Sequence, residues 1–84
     1  MYKYIFTRNS KKQFLKLSEQ IQTRILNKLK YFKNIEIANK YIRNVYHLEP
    51  ATHRLKIWNY RLLITFNDKN VIIYKIAHRK EIYK

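Results

Sequence analysis

The sequence predicts an α+β fold with the element order β-α-α-β-β-β, in which a largely antiparallel sheet carries two helices packed on one face. Three observations carry this expectation. Ile21, Ile25, Leu29 and Phe32 recur at spacings of four, four and three, the period of one apolar helix stripe. Three segments after Pro50, at 53–58, 60–66 and 71–77, are rich in apolar and β-branched residues and are separated by short polar turns. A further segment of this kind, residues 2–7, opens the chain. The 84 residues are expected to form one domain, 1–84. A chain of this length buries roughly 60–65% of the surface its unfolded state exposes. Its 46% apolar composition therefore supplies a small but sufficient core.

Each element has a local reason. Residues 2–7 alternate loosely and are rich in Tyr, Ile, Phe and Thr, which favour strands. Ser10-Lys11-Lys12-Gln13 matches a capping box, so the first helix is expected to open at Ser10, with Gln13 reaching back. That helix presents Phe14 and Leu17. Ser18 interrupts it and serves as the N-cap of a second helix. The Ile/Leu stripe of the second helix faces the core, and its other face carries Gln22, Arg24, Asn27, Lys28 and Lys30. Residues 33–44, with Ile35, Ile37, Ala38, Tyr41 and Ile42, fit either a short helix or an ordered loop. Pro50 excludes a central strand at its own position. Asn67-Asp68-Lys69-Asn70 has the chemistry of a turn, and residues 71–77 read as a buried strand. Short turns join the last three strands into an antiparallel meander. With the helices on one face, the other face is left for a partner.

The chain holds 19 basic and 5 acidic residues, a net charge of +14. Such a surplus attracts anionic partners through long-range fields and counterion release, and it strains the isolated protein by self-repulsion. Lys, Asn, Ile and Tyr are all abundant, as in proteins from AT-rich genomes. Part of the lysine excess is therefore compositional, and the distribution of charge carries more weight than its sum. Glycine is absent, which removes any glycine-rich phosphate loop. Cysteine is absent too, and with it disulfides, a thiolate nucleophile and a cysteine zinc site. No segment approaches the ~20 apolar residues of a membrane helix, and the opening residues carry no export signal, so a cytoplasmic location is expected.

The informative constellation lies in the last thirty-odd residues. With Trp58-Asn59 as a two-residue hairpin turn, Ile57 faces Tyr60, Lys56 faces Arg61, and Arg54 lies one pair further along, opposite Leu63. Alternation along the strand places Arg54, Lys56 and Trp58 on one face. Like charges opposed across strands are destabilising, so a fold that keeps Lys56 against Arg61 is expected to use them on a polyanion. Arg54, Lys56 and Arg61 make a compact cationic patch. Arg79, just past the last strand, joins it from the side, and Tyr83 closes over it. Arginine donates bidentate hydrogen bonds to phosphate, and tyrosine stacks on unpaired bases. Cationic donors aimed at a scissile phosphate stabilise a phosphoryl-transfer transition state. His78, Glu81, Tyr83 and a lysine are the candidates for proton transfer. Taken singly these residues also have ordinary readings: Arg54 and Lys56 as solvated strand positions, Tyr83 as C-terminal packing, His78 as a surface histidine. His47 and His53 have no companions at metal-ligand spacing, so neither a metal nor a cofactor is expected.

The resemblance to a known family rests on these residues. The opening strand, the two striped helices, the segment His53-Arg54-Leu55-Lys56-Ile57-Trp58-Asn59-Tyr60-Arg61 and the ending His78-Arg79-Lys80-Glu81-Ile82-Tyr83 together resemble the RelE/ParE superfamily, toxins of bacterial type II toxin–antitoxin systems. The ending is the most specific part and is similar to the RelE-like branch. The resemblance implies a RelE-like fold and a metal-independent mRNA endoribonuclease that cuts in the ribosomal A site and inhibits translation. Attack by the RNA 2′-hydroxyl would leave a 2′,3′-cyclic phosphate and a 5′-hydroxyl. It implies catalytic roles for Arg54, Lys56, Arg61, Arg79, Tyr83 and His78. Arg61 would stabilise the charged transition state, and Arg79 would assist the leaving oxygen. Arg54 and Lys56 would hold the phosphate or help remove the 2′-hydroxyl proton, and Tyr83 would stack on the base. His78 would help as acid or base. Arg54, Lys56, Arg61 and Lys80 would bind RNA. A cognate antitoxin segment, acidic and amphipathic, would fold over the basic site and relieve its repulsion.

Two other classes compete: a gyrase-inhibiting toxin of the ParE branch on the same fold, and a non-catalytic RNA-binding module. ParE-like members generally lack the combined Arg54, Lys56, Arg61 and Tyr83 set, which favours RNA cleavage.

Overall fold

The computed structural model describes residues 2–84. Met1, which the expected domain includes, lies outside the described residues. The elements are β1 (Lys3–Phe6), α1 (Arg8–Leu15), α2 (Glu19–Tyr31), α3 (Ile35–Ala38), a 3₁₀ turn (Asn39–Tyr41), β2 (Ile42–Asn44), β3 (His53–Ile57), β4 (Tyr60–Phe66) and β5 (Asn70–His78). They form an α+β fold around one five-stranded sheet of order β1-β5-β4-β3-β2. The expected meander is present, with β3, β4 and β5 paired antiparallel. The ambiguous stretch 33–44 resolves into α3, the 3₁₀ turn and an edge strand, β2, antiparallel to β3. β1 runs parallel to β5, from Lys3 opposite Asn70 to Phe6 opposite Ile73.

α1 begins earlier than its capping-box motif implies. Thr7 is the N-cap, and its hydroxyl accepts from the Ser10 amide at 3.2 Å. Ser10 and Gln13 serve the sheet instead. The Ser10 hydroxyl is buried and donates to the Ile73 carbonyl at 2.7 Å. The Gln13 side-chain oxygen accepts from the Ile76 amide at 2.7 Å. The first joins the Thr7 amide on the Ile73 carbonyl at the end of the β1 ladder, and the second lies beyond β1, where β5 has no strand on this side. α2 starts as expected at Ser18, whose side chain accepts from the Ile21 amide at 3.4 Å.

The main core lies between the helices and the sheet. Phe14, Ile25, Leu29 and Phe32 pack there against Ile42, Leu55, Ile57, Leu62, Ile64, Val71, Ile73 and Ile76. Each fully buried Leu, Ile or Phe contributes roughly 1.5–3 kcal/mol. The Tyr4 hydroxyl donates to the Phe32 carbonyl at 2.7 Å and ties β1 to the end of α2; burial holds that phenol well above its ordinary pKa.

The opposite face is not bare. Leu63, Ala51 and Ile82 form a second, smaller core under the 45–52 loop and the C-terminal turn. An irregularity in the β4–β5 register decides what else reaches this face. Leu63 pairs with Lys75 and Ile64 with Ile73, so Tyr74 is an extra residue. Ile73 and Ile76 therefore both face the helices, with Tyr74 and Lys75 turned away between them.

Thr7→Ala is expected to cost about 1 kcal/mol, the usual loss of a helix cap. Gln13→Met, which orphans the Ile76 amide, is expected to cost about 1–3 kcal/mol. Urea unfolding of both variants beside the wild type checks the pair. A Gln13→Met variant as stable as the wild type would show that the stitch between α1 and β5 contributes nothing.

Candidate active site

The site is built on the β3–β4 hairpin. Its register is the expected one, with Ile57 opposite Tyr60, Lys56 opposite Arg61 and Arg54 opposite Leu63. Leu55, Ile57, Leu62 and Ile64 turn into the main core, so Arg54, Lys56, Arg61 and Leu63 share the other face. Glycine is absent from the chain, so the left-handed position of the two-residue turn falls to Trp58, at φ 54°. A side chain there costs about 1–2 kcal/mol.

Arg61 is the best-anchored member. Its Nη1 donates to the carbonyls of Trp58 and Tyr60, both at 2.9 Å, which bends the guanidinium back toward the hairpin turn and away from a direct clash with Lys56. The remaining N–H donors of the fork stay available for an oxyanion. Partial burial lowers the Arg61 pKa, and the charges of Arg54 and Arg79 lower it further, while Tyr83 opposes the shift. Arg61 stays protonated, because arginine does not give up its proton in proteins.

β5 delivers the last two of these. Past His78 the backbone N–H of Arg79 donates to the Asn59 carbonyl at 2.7 Å, one step beyond the β4–β5 ladder. This bond fixes Arg79 beside the hairpin turn. The chain then coils, with the amides of Glu81 and Ile82 donating to the His78 carbonyl at 2.7 and 3.1 Å. Ile82 plugs into the second core, fully buried, and Tyr83 remains 54% exposed.

His78, Lys80 and Trp58 are placed differently from Arg54, Arg61, Arg79 and Tyr83. His78 pairs with Tyr60 and so faces the helix side, its ring edge-on to Tyr60 at 5.5 Å. Its Nδ1 accepts from the Lys80 amide at 3.2 Å, so a neutral ring carries its hydrogen on Nε2. Lys80 is exposed on the C-terminal turn. Trp58 does not share the face of Arg54 and Lys56. Strand alternation stops at Ile57, and the positive φ carries the indole toward α2, where the Arg24 guanidinium lies 4.2 Å from the ring centre. Lys56 keeps its place opposite Arg61 and is exposed.

The sequence reading missed Arg43. On β2 it stands directly opposite Arg54, on the same face, and its Nη1 donates to the Ile42 carbonyl at 2.9 Å. The only signal was one cation after Ile42, in a stretch that did not read as strand.

This face thus presents several cations fixed by backbone contacts. The one ion pair among the described residues, Lys84 with Glu81 at 3.6 Å, is exposed at the C-terminus. The arrangement suits a phosphodiester, with a base stacked on the nearby tyrosine.

Over residues 4–83 the sequence matches the family model described as the ParE toxin of the type II toxin–antitoxin system parDE. The chain belongs to this toxin family, within the RelE/ParE superfamily. No curated protein matches it in sequence. Among solved structures, a chain of the toxin–antitoxin complex RelBE2 from Mycobacterium tuberculosis is similar with a TM-score of 0.75. It is 18% identical, and the match covers 93% of this chain and 98% of that one. A chain of the RelB–RelE antitoxin–toxin complex from Methanococcus jannaschii is similar with a TM-score of 0.66. It is 22% identical, with 94% of each chain covered. These likenesses show the RelE-like fold in a member of the ParE toxin family.

Crowding of Arg79 against Arg61 opposes folding of the free toxin. Arg79→Gln is therefore expected to raise stability at low salt by about 0.2–1 kcal/mol, the range of exposed charge pairs. Screening removes most of the difference near ~1 M salt. Thermal unfolding at two ionic strengths checks this, and a less stable Arg79→Gln variant would show that the cluster carries no such strain.

Proposed function

We propose that this toxin is a ribosome-dependent mRNA endoribonuclease. The observation that carries the reading is the register that sets Arg54, Lys56 and Arg61 on one face, with Arg61 braced on two carbonyls and Arg79 fixed beside the same hairpin turn. In the reaction the RNA 2′-oxygen attacks the adjacent phosphorus, and the bond from phosphorus to the 5′-oxygen breaks. The products are a 2′,3′-cyclic phosphate and a 5′-hydroxyl. One proton leaves the 2′-hydroxyl and one reaches the departing 5′-oxygen.

Arg61, braced on the Trp58 and Tyr60 carbonyls, stabilises the charge that gathers on the non-bridging oxygens. Arg79 assists the departing oxygen. Arg54 and Lys56 hold the phosphate and ease removal of the 2′-hydroxyl proton. Tyr83 stacks on the base and orients the nucleophile. His78, turned to the helix side beside Tyr60, stays outside this set. Arg43 and Lys80 add to the attraction for RNA. A toxin with this substrate works in the cytoplasm. Its partner between episodes of activity is a cognate antitoxin whose acidic, amphipathic segment folds on the toxin and neutralises the basic face.

A second reading is favoured by the match to the ParE toxin model: inhibition of DNA gyrase on the same fold. Mapping 5′ ends of mRNA in a translating extract, with and without ribosomes, separates the two. Cuts at A-site codons that require ribosomes support the nuclease. Intact mRNA together with inhibited supercoiling by gyrase supports the second reading.

Arg61→Ala is expected to lower cleavage roughly 10²–10³-fold, the usual loss of one transition-state donor. Thermal unfolding of this variant should remain cooperative. Arg61→Lys is expected to restore little, because a lysine lacks the planar fork. Undiminished toxicity of Arg61→Ala would reject the nuclease reading.

A further inference from the structure

The extra residue in β5 puts a lysine where simple alternation would not. Counting from core-facing Ile73, strict alternation would send Lys75 into the main core. With Tyr74 inserted, Lys75 stands on the face of Arg61, opposite Leu63. It is half-buried there, and its ammonium donates to two backbone oxygens of the C-terminal turn: Ile82 at 2.8 Å and Lys84 at 3.2 Å. These oxygens belong to the residues on either side of Tyr83. A helical turn ends in unpaired carbonyls with partial negative charge, and a cation is a fitting cap for them. Tyr83 is thus held from behind, while its ring stays exposed, four residues past Arg79. It also borders an open cleft of about 320 Å³ that includes Leu63, Tyr74 and Lys75 in its lining.

We propose that Lys75 is a positioning residue, a clasp on the C-terminal turn that sets Tyr83 against the arginine cluster. Burial of Ile82 and the amide bonds to the His78 carbonyl anchor the start of the turn. The two hydrogen bonds from Lys75 brace it on either side of Tyr83. Lys75 touches no substrate and acts through Tyr83. The kinetic consequence rests on the RNA-cleaving reading; the clasp itself does not.

The test compares Lys75→Met, Lys75→Gln, Lys75→Arg, Tyr83→Ala and the Lys75→Met/Tyr83→Ala double variant. Backbone amide exchange is followed in the free protein, and cleavage in a translating extract. In Lys75→Met the amides of 79–84 are expected to exchange faster, with the rest of the chain unchanged. Lys75→Gln, with one amide donor left to the turn, lies between, and it stands in should Lys75→Met fail to fold. A misplaced stacking group is expected to lower kcat roughly ten- to a hundredfold, with little change in KM. Lys75→Arg restores most of both. The double variant is expected to lose no more than Tyr83→Ala alone. Unchanged exchange in 79–84, or losses that multiply in the double variant, would overturn the clasp. If the wild type cuts no mRNA, the nuclease reading fails, and amide exchange alone decides the clasp.

Discussion

Beyond Ile73, β5 has no strand on its outer side, and side chains of α1 take over the backbone bonding. Ser10 takes the Ile73 carbonyl and Gln13 the Ile76 amide, one on each side of the extra residue. An inserted residue leaves ladder groups unpaired, and buried unpaired groups are costly. The α1 contacts bond the outer edge of β5 on both sides of the insertion, opposite to β4. Much of the site depends on it, because a shift of one residue exchanges the faces of everything that follows. With the insertion, Ala77 faces Arg61, and its small side chain leaves room for the guanidinium. Without it, His78 would stand on that face and Lys75 in the core. The same insertion delivers Lys75 to the C-terminal turn and sets the line along which Arg79 meets Asn59.

Among the described residues, no ion pair ties the arginines of the basic face. Arg61 leans on the carbonyls of Trp58 and Tyr60, Arg43 on that of Ile42, and Lys75 on the backbone oxygens of Ile82 and Lys84. Carbonyl dipoles offset part of the repulsion and fix the donors in place, yet they leave the net charge untouched. A carboxylate would neutralise the same cations and compete with a phosphate for their donors. Carbonyl bracing therefore leaves the face strongly cationic, which opposes the stability of the free protein.

What could be read in the sequence was local. The hairpin register followed from a two-residue turn between alternating segments, and it placed Lys56 against Arg61 correctly. The Ile25, Leu29 and Phe32 stripe followed from its period, and the Ser18 cap from its chemistry. What escaped depends on distant partners. The parallel pairing of β1 with β5 joins the two ends of the chain. β2 is an edge strand of three residues, shorter than the usual five or six, and only its partner β3 defines it. Ser10 and Gln13 read as a capping box because the motif is local, whereas their actual partners lie 63 residues away on β5. Trp58 was assigned a strand face because nothing in a tryptophan announces a left-handed turn; in a chain without glycine, that conformation falls to an unexpected residue.

The placement of the five acidic residues bears on whether the arginine cluster is functional. Glu19 and Glu36 lie in the first turns of α2 and α3, where they favour the helix N-termini. Glu49 lies in the 45–52 loop, Asp68 in the β4–β5 turn, and Glu81 pairs with Lys84. Arginines kept for stability are normally paired, because an unpaired cation gains little at a surface and crowding of like charges opposes folding. Here the scarce acids sit on caps and turns, while the charges of Arg54 and Arg79 both bear on Arg61. Compositional bias toward lysine explains a high net charge, but not arginines gathered from β3, β4 and the end of β5. Inhibition of an enzyme by surface binding would require a complementary patch. Phosphodiester cleavage requires several donors around one phosphate, with an aromatic ring beside them, and on the proposed nuclease reading that requirement accounts for both the crowding and the bracing.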